Sequence, residues 1–349
     1  MSLLETAKRH LKYAVIRAGL EAVALPGVQA LSPASGGRGV IFTLHHVRPQ
    51  RESVFDPNAI HSITPEFLEE AIQAALECGL VAAHLHDLPT LLADPADQRK
   101  FVAFTLDDGY RDNAEFAAPI FRKYGVPYTI FINPGFVERT RTMWWKTAAA
   151  LTRRATNFQF DFGQGLVAVA SATIRQKFAA FAQLTAFVQS FDEDEAVARI
   201  DEAARHHDID PMAIVDTLVM NEAELRDLAR DPLVHFGAHT VTHVNLRRVS
   251  PQRLRTEIVQ SAAAIERYIG RPPRSFSYPY GWRSAVSERE VLEAAKAGFA
   301  AAVTTQPGVL GPASLERPTA LPRISLNGHY QKKRYVKALI SGLPFRFLR

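Results

Sequence analysis

The chain has 349 residues, 47% of them hydrophobic, with 41 Lys and Arg against 36 Asp and Glu and a single cysteine, Cys78. That apolar content is enough for a sizeable core and excludes a disordered or fibrous chain. One cysteine excludes an internal disulfide framework and a Cys-based zinc ribbon. The formal charge of +5 is mild, and the basic residues form no recognised nucleic-acid motif, so no nucleic-acid partner is expected.

No stretch reaches the roughly 18 uninterrupted apolar residues that a membrane-spanning helix needs. Glu5, Lys8, Arg9, Lys12 and Arg17 interrupt every apolar run near the N-terminus, which does not read as a secretory signal. The expected location is therefore the cytoplasm. Leu4, Ala7, Leu11, Ala14 or Val15, and Ala18 recur at helical spacing with the basic residues largely on other faces. Residues 1–20 thus predict an amphipathic basic helix, packed on the domain or lying peripherally on the inner face of a membrane.

Residues 1–36 comprise that helix and a linker ending in the breaker cluster Ser32-Pro33-Ala34-Ser35-Gly36-Gly37. From there apolar runs at 40–44, 101–106, 128–132, 233–237, 275–278 and 300–304 alternate with helical patterns at 65–78, 113–124, 222–230, 251–269 and 287–297. Strict alternation predicts an α/β fold of parallel βαβ units across 37–330, a barrel or a large doubly wound sheet. Residues 138–220 break the rhythm and read as a mostly helical insertion. Residues 331–349 read as a basic C-terminal tail.

Chemistry-bearing residues gather where apolar runs end. Phe104-Thr105-Leu106-Asp107-Asp108-Gly109 puts two carboxylates at the end of a strand, at the face where barrel active sites lie. Alone, an Asp-Asp-Gly turn is usually a solvated loop. His239 and His243, four residues apart after another run, share one face if the chain turns helically there, and neutral imidazoles suit zinc and its neighbours. His235 alternates with buried positions and reads as a core or supporting residue. Phe276-Ser277-Tyr278-Pro279-Tyr280-Gly281 and Thr43-Leu44-His45-His46 end two further runs. Trp144 and Trp145 read first as core packing, with sugar stacking as the alternative. An Asp-His-His set leaves an open position for water or substrate, as a catalytic zinc site requires.

Taken together these motifs resemble the polysaccharide deacetylases of the NodB-homology type, carbohydrate esterase family four, from about 39 to 323 with the insertion excepted. The resemblance implies a distorted (β/α) barrel of about seven parallel strands. It implies Asp107 as general base and Asp108, His239 and His243 as ligands of one divalent metal ion, zinc by their chemistry. Tyr280 matches the tyrosine whose backbone N–H meets the oxyanion. Many members carry an arginine three residues before that tyrosine; here Ser277 stands in its place, and Arg323 in Leu321-Pro322-Arg323-Ile324 is the candidate to supply the charge. His45 is the candidate acid, with His46 as rival. The expected reaction is deacetylation of an acetylated carbohydrate. Alternatives are a deformylase or amidohydrolase acting on a lipid-linked sugar or small cyclic amide, and a non-catalytic glycan-binding barrel.

Overall fold

The structure is a computed structural model that describes residues 3–25, 27–28, 33–50 and 53–347. Among the described residues there are twelve strands, β1 (Gly39–Leu44), β2 (His46–Val47), β3 (Ser62–Ile63), β4 (Leu80–Ala82), β5 (Lys100–Leu106), β6 (Tyr128–Ile132), β7 (Asn157–Asp161), β8 (Leu166–Ala170), β9 (Val234–Ala238), β10 (Ser275–Ser277), β11 (Ala301–Val303) and β12 (Ile324–Ser325). The main sheet runs β11-β10-β9-β6-β5-β1-β12, seven strands paired in parallel, with β4 beside β5. It curls into a distorted (β/α) barrel. Ile324 pairs with Phe42 of β1 while Leu321, just before it, bridges Val303 of β11, so the last segment touches both edges. β4 pairs with 100–102 and β6 with 104–106, so two neighbours share one edge of β5.

Every residue of β1 and β6 is buried, as expected where a parallel sheet is covered on both faces. The period-two alternation sorts them. Val40, Phe42, Leu44, Val102, Phe104, Leu106, Ile130 and Ile132 join the core beneath the helices. Ile41, Phe101, Ala103, Phe131, Val303 and Leu321 fill the barrel. Gly237 is required beside Phe131, because a Cβ there would lie 2.4 Å from the Phe131 ring.

The helices follow their caps and apolar spacing. Thr64 caps Pro65–Glu77, which buries Phe67, Leu68, Ala71, Ile72 and Ala75. Ser250 caps Pro251–Ile269, and Gly270 ends it at φ 70°. The helix expected at the N-terminus runs Leu3–Val23, and its Leu20 packs with Tyr335 and Ala338. No helix among the described residues is long and apolar enough to cross a membrane.

One expectation needs correction and another needs an addition. Residues 331–349 are not simply a basic tail: Lys333–Ile340 is a helix that buries Tyr335, Val336, Ala338 and Ile340. Glu21 gathers Lys332, Arg334 and the Tyr335 hydroxyl, so several of the basic residues are tied into the fold. The segment 138–220 is mostly helical, with helices Trp144–Arg154, Ile174–Ser190, Glu193–Arg205 and Pro211–Leu218, but 157–170 is the antiparallel hairpin β7–β8. Asp161 Oδ1 accepts the Gly163 and Gly165 N–H groups at its turn. The insertion has a core of its own, with Trp144, Leu151, Phe158, Phe160, Leu184 and Ile200.

Candidate active site

The inward positions of the barrel strands continue past their ends into the site. Ile41 is followed two and four residues later by Thr43 and His45, Ala103 by Thr105 and Asp107, and Gly237 by His239. The shared register, Thr43 opposite Thr105 and Thr129 opposite His235, keeps these ends level, at the C-terminal face of the barrel.

Asp108, His239 and His243 converge. One ligand atom from each lies within 4.8 Å of the others, with His239 Nε2 3.7 Å and His243 Nε2 3.5 Å from Asp108 Oδ1. That oxygen is buried and no described protein donor reaches it. The helical turn that would have put both imidazoles on one face is not formed. Residues 240–243 form an irregular loop in which Thr240 and His243 have φ 64° and 56°. Both imidazoles reach one point because of these left-handed residues, not because of i, i+4 spacing. Buried Glu257 holds the loop by accepting the Val241 and Thr242 N–H groups at 2.8 and 2.9 Å and the Thr242 hydroxyl at 2.6 Å. Of the six described non-glycine residues at positive φ, Asp108, Thr240, His243 and Tyr280 lie in this site. Such backbone strain persists where the surroundings over-determine it, typically at functional centres.

The donor set fits a divalent ion. The His239 Nδ1–H donates to the Ser277 carbonyl at 2.6 Å, which leaves its Nε2 lone pair directed at Asp108. Burial lowers the pKa of His239, and burial together with the neighbouring His239 lowers that of His243 well below the usual range, so both rings are neutral, as ligation requires. Burial and the Asp107 charge push the Asp108 carboxyl up to about 7. Two adjacent buried carboxylates are poorly tolerated without a cation between or beside them. Tyr110 hydrogen-bonds to Asp108 and itself accepts the Trp145 indole N–H at 3.2 Å.

Asp107 faces a different partner. Arg323 donates to its two oxygens at 2.7 and 2.8 Å, and also to Thr105 Oγ1 at 3.1 Å, Ser277 Oγ at 2.9 Å and the Thr304 carbonyl at 2.8 Å. All five guanidinium N–H groups are thereby used. Ser277, where the resemblance would set an arginine, instead accepts a bond from Arg323, which immediately precedes β12. Burial alone would raise the Asp107 pKa; the Arg323 charge, with His239, overrides it and holds the group well below the usual carboxylate range.

The two adjacent histidines part company. His46 is completely buried; its Nδ1–H donates to Asp112 Oδ2 at 2.5 Å, its Nε2 accepts from Lys146 Nζ at 2.7 Å, and its ring stacks on Tyr110 at 3.6 Å. Both nitrogens are committed. His45 lies with its ring 4.5 Å from that of His61 and interacts electrostatically with Asp107 and His239. Burial, then the His61 charge, pushes its pKa well down. Tyr280 sits at φ 64°, and among the described residues no acceptor takes its N–H. Its hydroxyl donates to Glu193 of the insertion at 2.6 Å and accepts the Trp144 N–H at 3.1 Å, so the insertion fixes this tyrosine. Trp144 is core, whereas Trp145 is part-exposed with its ring 4.8 Å from His243. His235 lies apart, at the N-terminal end of β9 beside His86.

Sequence reading missed His61, Tyr110, Asp112, Lys146 and Glu193. Tyr110 and Asp112 stand just after the Asp-Asp-Gly turn and could have been suspected there. The others come from loops and the insertion, where no local pattern marks them.

The sequence model of the polysaccharide deacetylase family matches residues 94–164 and 182–302. Among curated proteins, the chain is 21% identical over 218 residues to the Bacillus subtilis (strain 168) protein named "Putative polysaccharide deacetylase YxkH", covering 62% of this chain and 49% of that protein. The chain thus spans about half the length of the curated relative it matches. Among solved structures, the deacetylase PplD of Streptococcus pyogenes, in complex with acetate, aligns with TM-score 0.50 at 17% identity over 83% of this chain and 92% of that one. IcaB of Ammonifex degensii aligns with TM-score 0.53 at 14% identity over 87% of this chain and 97% of that one. At these identities the structural likeness speaks for the fold. With its family's sequence model matching more than half of its residues, the chain belongs to the polysaccharide deacetylase family.

Proposed function

We propose that this chain is a metal-dependent hydrolase that cleaves an acetamide, or an acetyl ester, of an N-acetylated glycan or oligosaccharide and releases acetate. The observation that carries this reading is the convergence of the Asp108, His239 and His243 ligand atoms within 4.8 Å of one another, next to a carboxylate kept ionised by Arg323. Those three residues would hold one divalent ion, zinc by the preference of imidazole and carboxylate, which when bound supplies Lewis acidity and acidifies water.

The chain's own groups divide the remaining work. Asp107, ionised and oriented by Arg323, takes the proton of the attacking water. The Tyr280 N–H meets the oxygen on which negative charge develops, a donor of a kind commonly worth about 3 kcal/mol. An amide nitrogen cannot leave as an anion, so His45 delivers a proton to it. Since burial keeps His45 neutral at rest, that proton is the one Asp107 has lifted from water. The amide C–N bond breaks, and acetate and the free amine leave with the elements of water divided between them.

Metal content and acetate release from N-acetylglucosamine oligomers test the reading. One zinc per chain is expected, with acetate release that stops on chelation and returns with zinc. Zinc-loaded protein that releases no acetate from any acetylated glycan would refute it.

A lipid-linked substrate at a membrane surface is the second reading, favoured by Leu11 and Val15, 65% and 61% exposed on the N-terminal helix. The 349-residue chain is then expected to pellet with anionic vesicles and a chain lacking 1–36 to stay in solution. Equal pelleting of both would remove that helix from any membrane role.

A further inference from the structure

Beside the catalytic groups lies a cavity of about 600 Å³ whose charged wall is Arg48, Asp56, Lys146 and Arg153. A second cavity of about 830 Å³ continues from it, sharing Arg48, Ser53 and Asp56. Two residues of the wall connect it to the site: Asn58 Nδ2 donates to the carbonyl of Trp145 at 3.1 Å, whose ring lies 4.8 Å from His243, and Lys146 Nζ lies 5.1 Å over the ring of Tyr110, which hydrogen-bonds to Asp108.

The cations here are bonded to neutral groups. Arg48 donates to Ser62 Oγ at 2.9 Å, Arg153 to the Phe55 carbonyl at 3.2 Å, and Lys146 to His46 Nε2 at 2.7 Å. Among the described residues none of the three forms an ion pair with a carboxylate. Asp56 is the one described carboxylate on the wall, and its Oδ1 already accepts the Asn58 N–H at 2.9 Å. Behind this wall Asp112 and the buried Asp108 act electrostatically on Lys146, and Asp112 on Arg48 as well; among the charged residues that line the cavity itself, three are cations and one is a carboxylate, a concave arrangement that favours an anion. Among the described residues Arg48 and Arg153 each donate one side-chain hydrogen bond, and a guanidinium fork matches the oxygens of a phosphate or carboxylate.

We propose that this pocket binds an anionic group of the substrate, a phosphate or a uronate carboxylate borne by or next to the acetylated sugar. This rests on the deacetylase reading and names the substrate class: acidic rather than neutral acetylated saccharides.

The test compares acetate release from N-acetylglucosamine 1-phosphate, from oligosaccharides alternating N-acetylglucosamine with glucuronate, and from neutral N-acetylglucosamine oligomers. Wild type, an Arg48→Gln/Arg153→Gln double variant and Arg48→Lys are assayed at low and high salt. In wild type at least one anionic substrate is expected to exceed the neutral oligomers by about ten-fold or more in kcat/KM, through KM, as one charge-assisted contact allows. That ratio should shrink with salt, fall toward one in the double variant and recover partly in Arg48→Lys. Preference for the phosphate or the uronate substrate identifies the anion. A wild-type ratio near one, or a ratio that survives the double substitution, overturns the proposal.

Calorimetric titration of the zinc-loaded protein with inorganic phosphate separates the two readings. Phosphate binding that the double variant loses upholds the pocket even if no substrate yields acetate, in which case the deacetylase reading alone fails. Binding that survives the double variant lies elsewhere. Normal acetate release without double-variant-sensitive phosphate binding and without an anionic preference leaves the deacetylase reading and sinks the pocket.

Discussion

Arg323→Met should destabilise the protein by about 3–5 kcal/mol, the usual consequence of stripping one partner from a buried ion pair. Arg323 and Asp107 side chains are 0% and 4% exposed, so the carboxylate would be left without water or counter-charge. Methionine fills most of the volume but returns none of the five hydrogen bonds. Urea unfolding measures the loss. The pH dependence gives a second, more specific readout. The Asp107 pKa in the folded protein lies below its ordinary value of 3.8, so the pair's contribution is complete above about pH 4 and is lost as pH falls further. In the variant, burial acts on the carboxyl without the guanidinium to oppose it and pushes its pKa up. The acidic limb of kcat/KM should therefore move upward, toward neutral pH. Arg323→Lys should recover part of the stability and return the limb part-way, since an ammonium supplies charge but not the bidentate fork. An unchanged acidic limb in Arg323→Met would show that Arg323 does not control the ionisation of the base.

How much of this was legible in the sequence depended on whether the signal was local. The long barrel strands announced themselves because a parallel strand covered on both faces is a continuous apolar run, and Phe101 to Leu106 is one. β4 and the β7–β8 hairpin did not. Leu80-Val81-Ala82 is too short to show a period, and in the hairpin only Phe158, Phe160 and Val169 are buried, a faint alternation inside a helical stretch. Asp107, Asp108, His239 and His243 stood out because each follows an apolar run closely. The sequence left open how the chain turns between the two histidines, since nothing local marks the left-handed φ at Thr240 and His243, and the loop is held by Glu257, distant in sequence, through Val241 and Thr242. The Asp107–Arg323 pair spans 216 residues, so only the family resemblance suggested it. Lys146, Glu193 and His61 carry no local mark at all; they reach the site because the insertion and the loop before β3 fold back over the barrel end.

Asp107→Asn should lower kcat by about 10²–10⁴, the range that positioned proton transfer commonly contributes, while zinc stays bound. Asp108→Asn should instead lose zinc, although the two residues are neighbours in sequence. The difference follows from what each carboxylate faces. Asp108 Oδ1 lies 3.5 and 3.7 Å from the two imidazole nitrogens, whereas both oxygens of Asp107 are engaged by Arg323. An asparagine at 107 keeps one acceptor for that guanidinium but cannot take a proton from water, and it leaves Arg323 buried without a counter-charge. Some loss of stability is therefore expected as well, and kcat must be measured on protein whose folded fraction is known from unfolding curves. Zinc content by mass spectrometry beside acetate release resolves the pair. If Asp107→Asn lost the metal while Asp108→Asn kept it, the assignment of base and ligand would be reversed. If Asp107→Asn kept both zinc and full activity, the base would have to be sought elsewhere in the site.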